Sequence, residues 1–238
     1  MSEPLEAPEI KRAMFIFAHC DDIEFGCAGT AALWVRDGYE VIYVILTDSS
    51  RGSEDPEMTR EKLVAIRIEE QDRAAAVIGI HKVVYLGYED GALIDSSEAR
   101  RDVVRQIRIW KPERVVCFDP TMRYSPQGYI NHPDHVEAGN IALAAIFPFS
   151  RNRPSFRELL DEGLEPFSVK EVYLTAWQGA NCWIDIESTF DLKLQALREH
   201  RSQLGEWNPE EMMRAWSRRA GAGQLLDCAE AYRLIKPR

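Results

Sequence analysis

Apolar runs alternate with stretches of helical period from near the start of the chain. Residues 13–18 (AMFIFA), Glu40–Thr47 (EVIYVILT), 82–86 (KVVYL) and Arg114–Phe118 (RVVCF) are short, largely apolar and bounded by turn residues, and each reads as a buried strand. Between them, 26–36 and Arg60–Ile78 read as helices. The second carries Leu63, Ile66, Ala74, Val77 and Ile78 among charges, with Gly79 placed as a helix stop. Asp95-Ser96-Ser97-Glu98 has the form of a capping box, in which Asp95 accepts from a free backbone N–H and Glu98 reaches back. It opens a helix through Trp110, and Pro112 separates that helix from the next strand.

Further on, 132–147 reads as a helix with Pro133 in its first turn. The stretch 148–169, rich in proline and aromatic residues, reads as an insertion or lid. Strands are expected at 171–176 and 182–186, a helix at 189–203 and another from Pro209 onward. Continuous rather than alternating apolar strands, each followed by a crossover helix, predict a parallel sheet covered on both faces. The expectation is an α/β, Rossmann-like three-layer fold with a mainly parallel sheet, residues 1–238 forming one domain. Its active site belongs at the carboxyl ends of the strands.

Composition narrows the partners. The 238 residues are 45% apolar and 29% charged, which excludes disordered and fibrous classes. The net charge of −10 offers no global attraction for nucleic acid or an anionic membrane, so a small-molecule partner is expected. No apolar run approaches the roughly 20 residues that span a bilayer. The polar, acidic start MSEPLEAPEIKR does not read as a signal peptide, which makes a cytoplasmic location the expectation. Cys20, Cys27, Cys117, Cys182 and Cys228 are widely spaced and odd in number, fitting neither a disulfide framework nor a zinc ribbon.

Two polar clusters stand where ligands bind in such folds. After the first strand, Ala18-His19-Cys20-Asp21-Asp22-Ile23-Glu24 sets an imidazole among three carboxylates. After the fourth, Asn131-His132-Pro133-Asp134-His135 opens a helix. Strands one and four can be neighbours at the switch point of a doubly wound sheet, and carboxylates so close together call for a counter-ion. His19, Asp22 and His135 would supply two imidazoles and one carboxylate with a position left open, the arrangement of a catalytic zinc site. Asp21 would then serve as general base, and His132 would stabilise the oxyanion or protonate the leaving amine, with Asp134 partnering an imidazole. In the plainer alternative, Asp21 caps the following helix and the H-x-x-H pair is incidental.

These motifs resemble the LmbE-like or PIG-L-type metal-dependent deacetylases, which carry A-H-P-D-D-E and H-P-D-H. The resemblance continues through Gly26-Cys27-Ala28-Gly29-Thr30, Thr47-Asp48, Arg67 with Glu70, Leu86-Gly87-Tyr88-Glu89-Asp90-Gly91, Phe118-Asp119-Pro120 and His200-Arg201-Ser202-Gln203. It implies hydrolysis of an N-acetyl group from an N-acetylglucosamine-type amino sugar. Zn2+ would be held by His19, Asp22 and His135, with Fe2+, Mn2+ or Co2+ as alternatives. It also implies sugar contacts from Arg67 and Asp90, against the plainer readings of a surface i,i+3 pair with Glu70 and a simple Asp90-Gly91 turn. His200 is implied as packing support near the site. Cys20 stands where the family has proline, and would be a tolerated small residue, a soft-metal ligand or a site of oxidation. A tyrosine used by some relatives is replaced by Ile130, leaving open whether Tyr124 or Tyr129 reaches the oxyanion.

Rival readings are a dinucleotide-binding module, a non-haem iron oxygenase, a non-catalytic sugar-binding protein on the same fold and a hydrolase of another small amide. The first lacks G-x-G-x-x-G and has carboxylates where a pyrophosphate would lie. Phe147, Phe149 and Phe156 suit a lid or a subunit contact, so a homo-oligomer is a further expectation.

Overall fold

The computed structural model describes residues 10–125, 128–176 and 178–238. Most of the N-terminal stretch behind the expectation about export lies outside these described residues. Strands β1 (Arg12–Phe17), β2 (Glu40–Thr47), β3 (Lys82–Tyr88), β4 (Arg114–Phe118) and β5 (Glu171–Thr175) run parallel, in the spatial order β3-β2-β1-β4-β5. Two further strands, β6 (Cys182–Asp185) and β7 (Ala229–Ile235), complete the sheet, with β7 antiparallel to β5 on one side and to β6 on the other. The order reverses between β1 and β4, which pair directly, and this is the switch point where both polar clusters emerge.

Successive side chains of a strand face opposite sides, so a sheet covered twice needs apolar residues at both parities. In β1, Ala13, Phe15 and Phe17 pack with Trp34, Ala74 and Ile78 on one side, while Met14 and Ile16 pack with Val103, Ile107 and Ile141 on the other. The chain supplies the helices as α1 (Asp22–Gly26), α2 (Ala28–Arg36), α3 (Arg60–Ile78), α4 (Ser97–Trp110), α5 (Pro133–Ala144), α6 (Arg157–Asp161), α7 (Phe190–Leu197), α8 (Arg201–Leu204) and α9 (Glu210–Gly221). Helices α2 and α3 cover the first face; α4 and α5 cover the second. Among the described residues, no helix is long and apolar enough to cross a membrane.

Several boundaries differ from expectation, each for a local reason. The cap of α4 is Ser96, whose hydroxyl accepts from Ala99 N at 3.1 Å, while Asp95 turns to Arg100 at 2.6 Å. The expected 26–36 helix begins earlier, as α1, and breaks at Cys27. Helix α5 stops at Ala144 and Phe147 is extended, since Pro148 lacks an N–H and biases its predecessor away from the helical region. The 189–203 helix divides into α7 and α8 around His200, and β7 follows α9 where no strand was expected.

The 148–169 stretch, expected as an insertion or lid, packs against the core. Helix α5 starts at the carboxyl ends of the strands and carries the chain to the opposite end of the sheet. There Leu159, Val169, Phe149, Phe156 and Phe167 pack into the core below α4 and α5. Buried Arg108, near the end of α4, donates to the carbonyls of Phe149, Ser150, Asn152 and Ser155 at 3.0–3.2 Å.

One contact ties distant parts of the chain together. Buried Glu230 of β7 accepts from Gly29 N at 3.1 Å and Thr30 N at 2.8 Å, satisfying free amides in the first turn of α2. Lys193 of α7 holds the same carboxylate at 2.5 Å.

Candidate metal centre and active site

His19 follows β1 and the second cluster opens α5, so the pairing of β1 with β4 brings them face to face. Three donor side chains converge. His19 Nδ1 lies 3.3 Å from His135 Nε2 and 3.5 Å from an Asp22 oxygen, and His135 Nε2 lies 3.0 Å from the other Asp22 oxygen. A tetrahedral zinc with bonds of about 2.0–2.1 Å keeps its ligands about 3.3 Å apart, so these separations fit a cation of that size.

The rings are held so that the converging nitrogens are the unprotonated ones. His19 Nε2 faces Asp90 at 3.1 Å and Asp134 at 3.3 Å, and His135 Nδ1 faces the Asn131 side-chain oxygen at 3.1 Å. Each of those nitrogens therefore carries the proton, leaving lone pairs on His19 Nδ1 and His135 Nε2. The faces of His135 and Phe118 stack at 4.2 Å, fixing the ring plane. The same polar cage accounts for the charge balance. Burial works against charge on His19, yet Asp134, Asp22 and Asp90 outweigh it and push its pKa up to about 12. The second proton this favours would sit on Nδ1, facing Asp22, so the Nδ1 lone pair is free only in the neutral ring and a cation bound there would take that proton's place.

His19, Asp90 and Asp134 form a second close group of donor atoms. Its oxygens are already taken by backbone amides: Asp90 accepts from Arg51 N at 2.7 Å, and Asp134 from Gly91 N at 2.7 Å and Leu93 N at 3.3 Å. This group supports His19 rather than opening to a ligand. Asp90 is buried behind the imidazole.

Asp21 sits beside the converging donors in a left-handed conformation, φ 95°, at the start of α1, and its side chain makes no capping bond. Burial pushes its pKa up to about 6, with Arg67 pulling the other way. Arg67 Nη2 lies 3.2 Å from the Asp21 carboxylate and also donates to Cys20 O. It is buried, as is Glu70, which binds Ser202 at 2.6 Å and 2.8 Å; the two are not a surface pair. His132 is the N-cap of α5, its Nδ1 accepting from Asp134 N at 3.2 Å, which puts the ring proton on Nε2. Burial and the neighbouring His19 and His135 hold its pKa below the ordinary value, so the ring is a neutral donor.

The family model described as PIG-L, GlcNAc-PI de-N-acetylase, matches residues 14–146, a span holding every one of these side chains except Ser202. The chain belongs to the PIG-L family. It is 33% identical over 217 residues to a diacetylchitobiose deacetylase of Thermococcus kodakarensis, covering 91% of this chain and 76% of that one. A probable N-acetyl-alpha-D-glucosaminyl L-malate deacetylase 2 of Bacillus anthracis is 28% identical, with 81% of each chain covered. The solved N,N'-diacetylchitobiose deacetylase of Pyrococcus horikoshii superposes with a TM-score of 0.88 at 31% identity, covering 98% of this PIG-L chain and 87% of that one.

Sequence reasoning missed some of what surrounds the site. Asn131 was visible beside the histidines, but its hold on His135 was not. Gln71 was overlooked, although Leu63, Arg67, Glu70, Gln71, Ala74, Ala75 and Ile78 make one buried stripe of α3. Polar residues standing in a core stripe were the signal available. Cys20 belongs to the hydrophobic core with Ile23 and Cys27, and burial pushes its thiol up to about 12, which disfavours the thiolate. The expected tyrosines lie on the loop before Asn131, where Tyr124 bridges to Ile130. Tyr124 is the more exposed, at 73%, whereas the Tyr129 phenol is raised by burial and by the charge of Asp22. Of the two, Tyr129 is the one that senses the site.

Proposed function

We propose that this PIG-L chain is a metal-dependent hydrolase that removes the N-acetyl group from an N-acetylglucosamine-type amino sugar, with Zn2+ held by His19, Asp22 and His135. The observation that carries the reading is the convergence of His19 Nδ1, Asp22 and His135 Nε2 within 3.0–3.5 Å, beside a carboxylate that caps nothing. The names of the relatives support the substrate class.

A divalent cation held there supplies positive charge that acidifies a water and polarises a carbonyl oxygen. Asp21 takes the proton of the attacking water as it adds to the acetyl carbon. The His132 Nε2–H donates to the oxygen that gains charge, a role suited to a neutral imidazole. Asp21 then passes the proton to the nitrogen as the carbon–nitrogen bond breaks, releasing acetate and the free amine. Arg67 keeps Asp21 aimed and favours its ionised form, and Asp90, Asp134 and Asn131 orient the two imidazoles. This assigns Arg67 and Asp90 to the support of other side chains.

The test is acetate release from a panel of N-acetylglucosamine compounds by zinc-loaded protein, with bound metal measured in the same sample. Asp21→Asn should keep the metal and lose at least a hundredfold in kcat, whereas His135→Ala should lose the metal. Full metal occupancy with no acetate released from any amino sugar would overturn the reading.

A further inference from the structure

The peptide unit that joins Cys20 to Asp21 is held on both of its edges by one helix. Arg67 donates to its carbonyl, Cys20 O, and the Gln71 side-chain oxygen accepts its N–H, Asp21 N, at 3.0 Å. The two residues are one turn apart on α3, so they project from the same face at the spacing a peptide unit needs. The hold matters because Asp21 is a non-glycine residue at φ 95°, a conformation that persists only where the surroundings over-determine it.

Gln71 is itself fixed from behind. Its amide nitrogen donates to Glu24 Oε1 at 3.1 Å, which settles which way the amide faces, and Glu24 Oε2 lies 3.2 Å from His200 Nε2. Gln71, Glu24 and His200 are each fully buried. Among the described residues His200 Nδ1 has no partner, so the polar anchorage of this ring is toward Glu24 alone. No group in this row touches the converging donors of the metal centre, and the proposed chemistry uses none of them.

We infer that His200, Glu24 and Gln71 form a buried positioning relay that sets the aim of Asp21 by fixing the Cys20–Asp21 peptide. The inference rests on the reading of Asp21 as the base. Displacing a catalytic group by about 1 Å can cost about a hundredfold in rate, and Gln71 is where the relay grips the peptide.

Gln71→Met keeps the length of the side chain and removes both hydrogen bonds. Zinc-loaded Gln71→Met should lose about 10- to 100-fold in kcat on the best N-acetyl amino sugar, with KM within about twofold of the parent. Zinc affinity, measured by chelator competition, should stay within about threefold. In an Asp21→Asn background the same substitution should cost less than threefold, because no base is left to aim, whereas a general defect would cost its full factor again. Should Gln71→Met fail to fold, Glu24→Leu, which frees the Gln71 amide, is read by the same measurements. Parent-like kcat in these variants, while Asp21→Asn is inactive, overturns the relay. So does a loss of zinc, which would make the row part of the metal centre. Parent-like activity in Asp21→Asn would instead remove the base reading itself.

Discussion

At the scale of single residues, the site depends on which atom of each ring is occupied. His19 and His135 each give one nitrogen to a fixed acceptor and present the other to the same point, so the identity of the acceptors decides the chemistry as much as that of the histidines. Arg67 is the clearest case for experiment. In the proposed reaction Asp21 works only when ionised; burial pushes its pKa up to about 6, the Arg67 charge draws it down, and a bound cation would draw it further. The acid limb of kcat/KM should therefore lie at about pH 6 or below, activity being lost as falling pH protonates Asp21. Arg67→Met should move that limb to higher pH, and a limb that stays put would deny Arg67 its control over the base. His19, Asp21, Asp22, His132 and His135 were legible as chemistry because they stand in short clusters after strands. Glu24 stood in the first cluster, but its bond to Gln71 was not legible, because the two are 47 residues apart and meet only once α3 lies against α1.

Among elements, the decisive contact is that of α5 with the end of β4. Gly139 lies one turn beyond His135, and a Cβ there would come within 2.7 Å of Phe118 O and 3.0 Å of Pro120. The glycine lets the helix settle against the strand end, which is also what stacks His135 on Phe118. Gly139→Ala should lift α5, costing about 1–3 kcal/mol in denaturant unfolding. It should weaken zinc binding in a chelator titration more than tenfold; unchanged affinity would mean that His135 is placed by its own loop. The parallel strands were readable because burial on both faces leaves an unbroken apolar run. Strand β7 was not, since its sequence AEAYRLI mixes alanine with charges that serve specific neighbours, Glu230 above all. The missed break around His200 has the same origin: local periodicity continues across it, while the buried bond to Glu24 holds the turn.

For the whole molecule, chemistry and anchorage occupy opposite ends of the sheet. The 148–169 segment is tied to α4 through Arg108, whose guanidinium serves five backbone carbonyls at 3.0–3.4 Å far from His19. Arg108→Met would remove a donor from each of those carbonyls, of which Ser150 O keeps Phe167 N and Asn152 O keeps Ser155 N, and should cost about 3 kcal/mol of stability. The kcat and KM of the folded fraction should be unaltered. A change in KM would show that the segment communicates with the substrate.

The Glu230 carboxylate has a consequence for how the protein is made. It finishes the first turn of α2, directly behind the Asp21–Asp22 segment, yet it lies 200 residues later in the chain than Thr30. During synthesis His19, Asp22 and His135 leave the ribosome well before Glu230 does. Until then the amides of Gly29 and Thr30 and the Lys193 cation lack this partner. If His19, Asp22 and His135 hold a metal as proposed, all three are made before the carboxylate that completes the frame behind them.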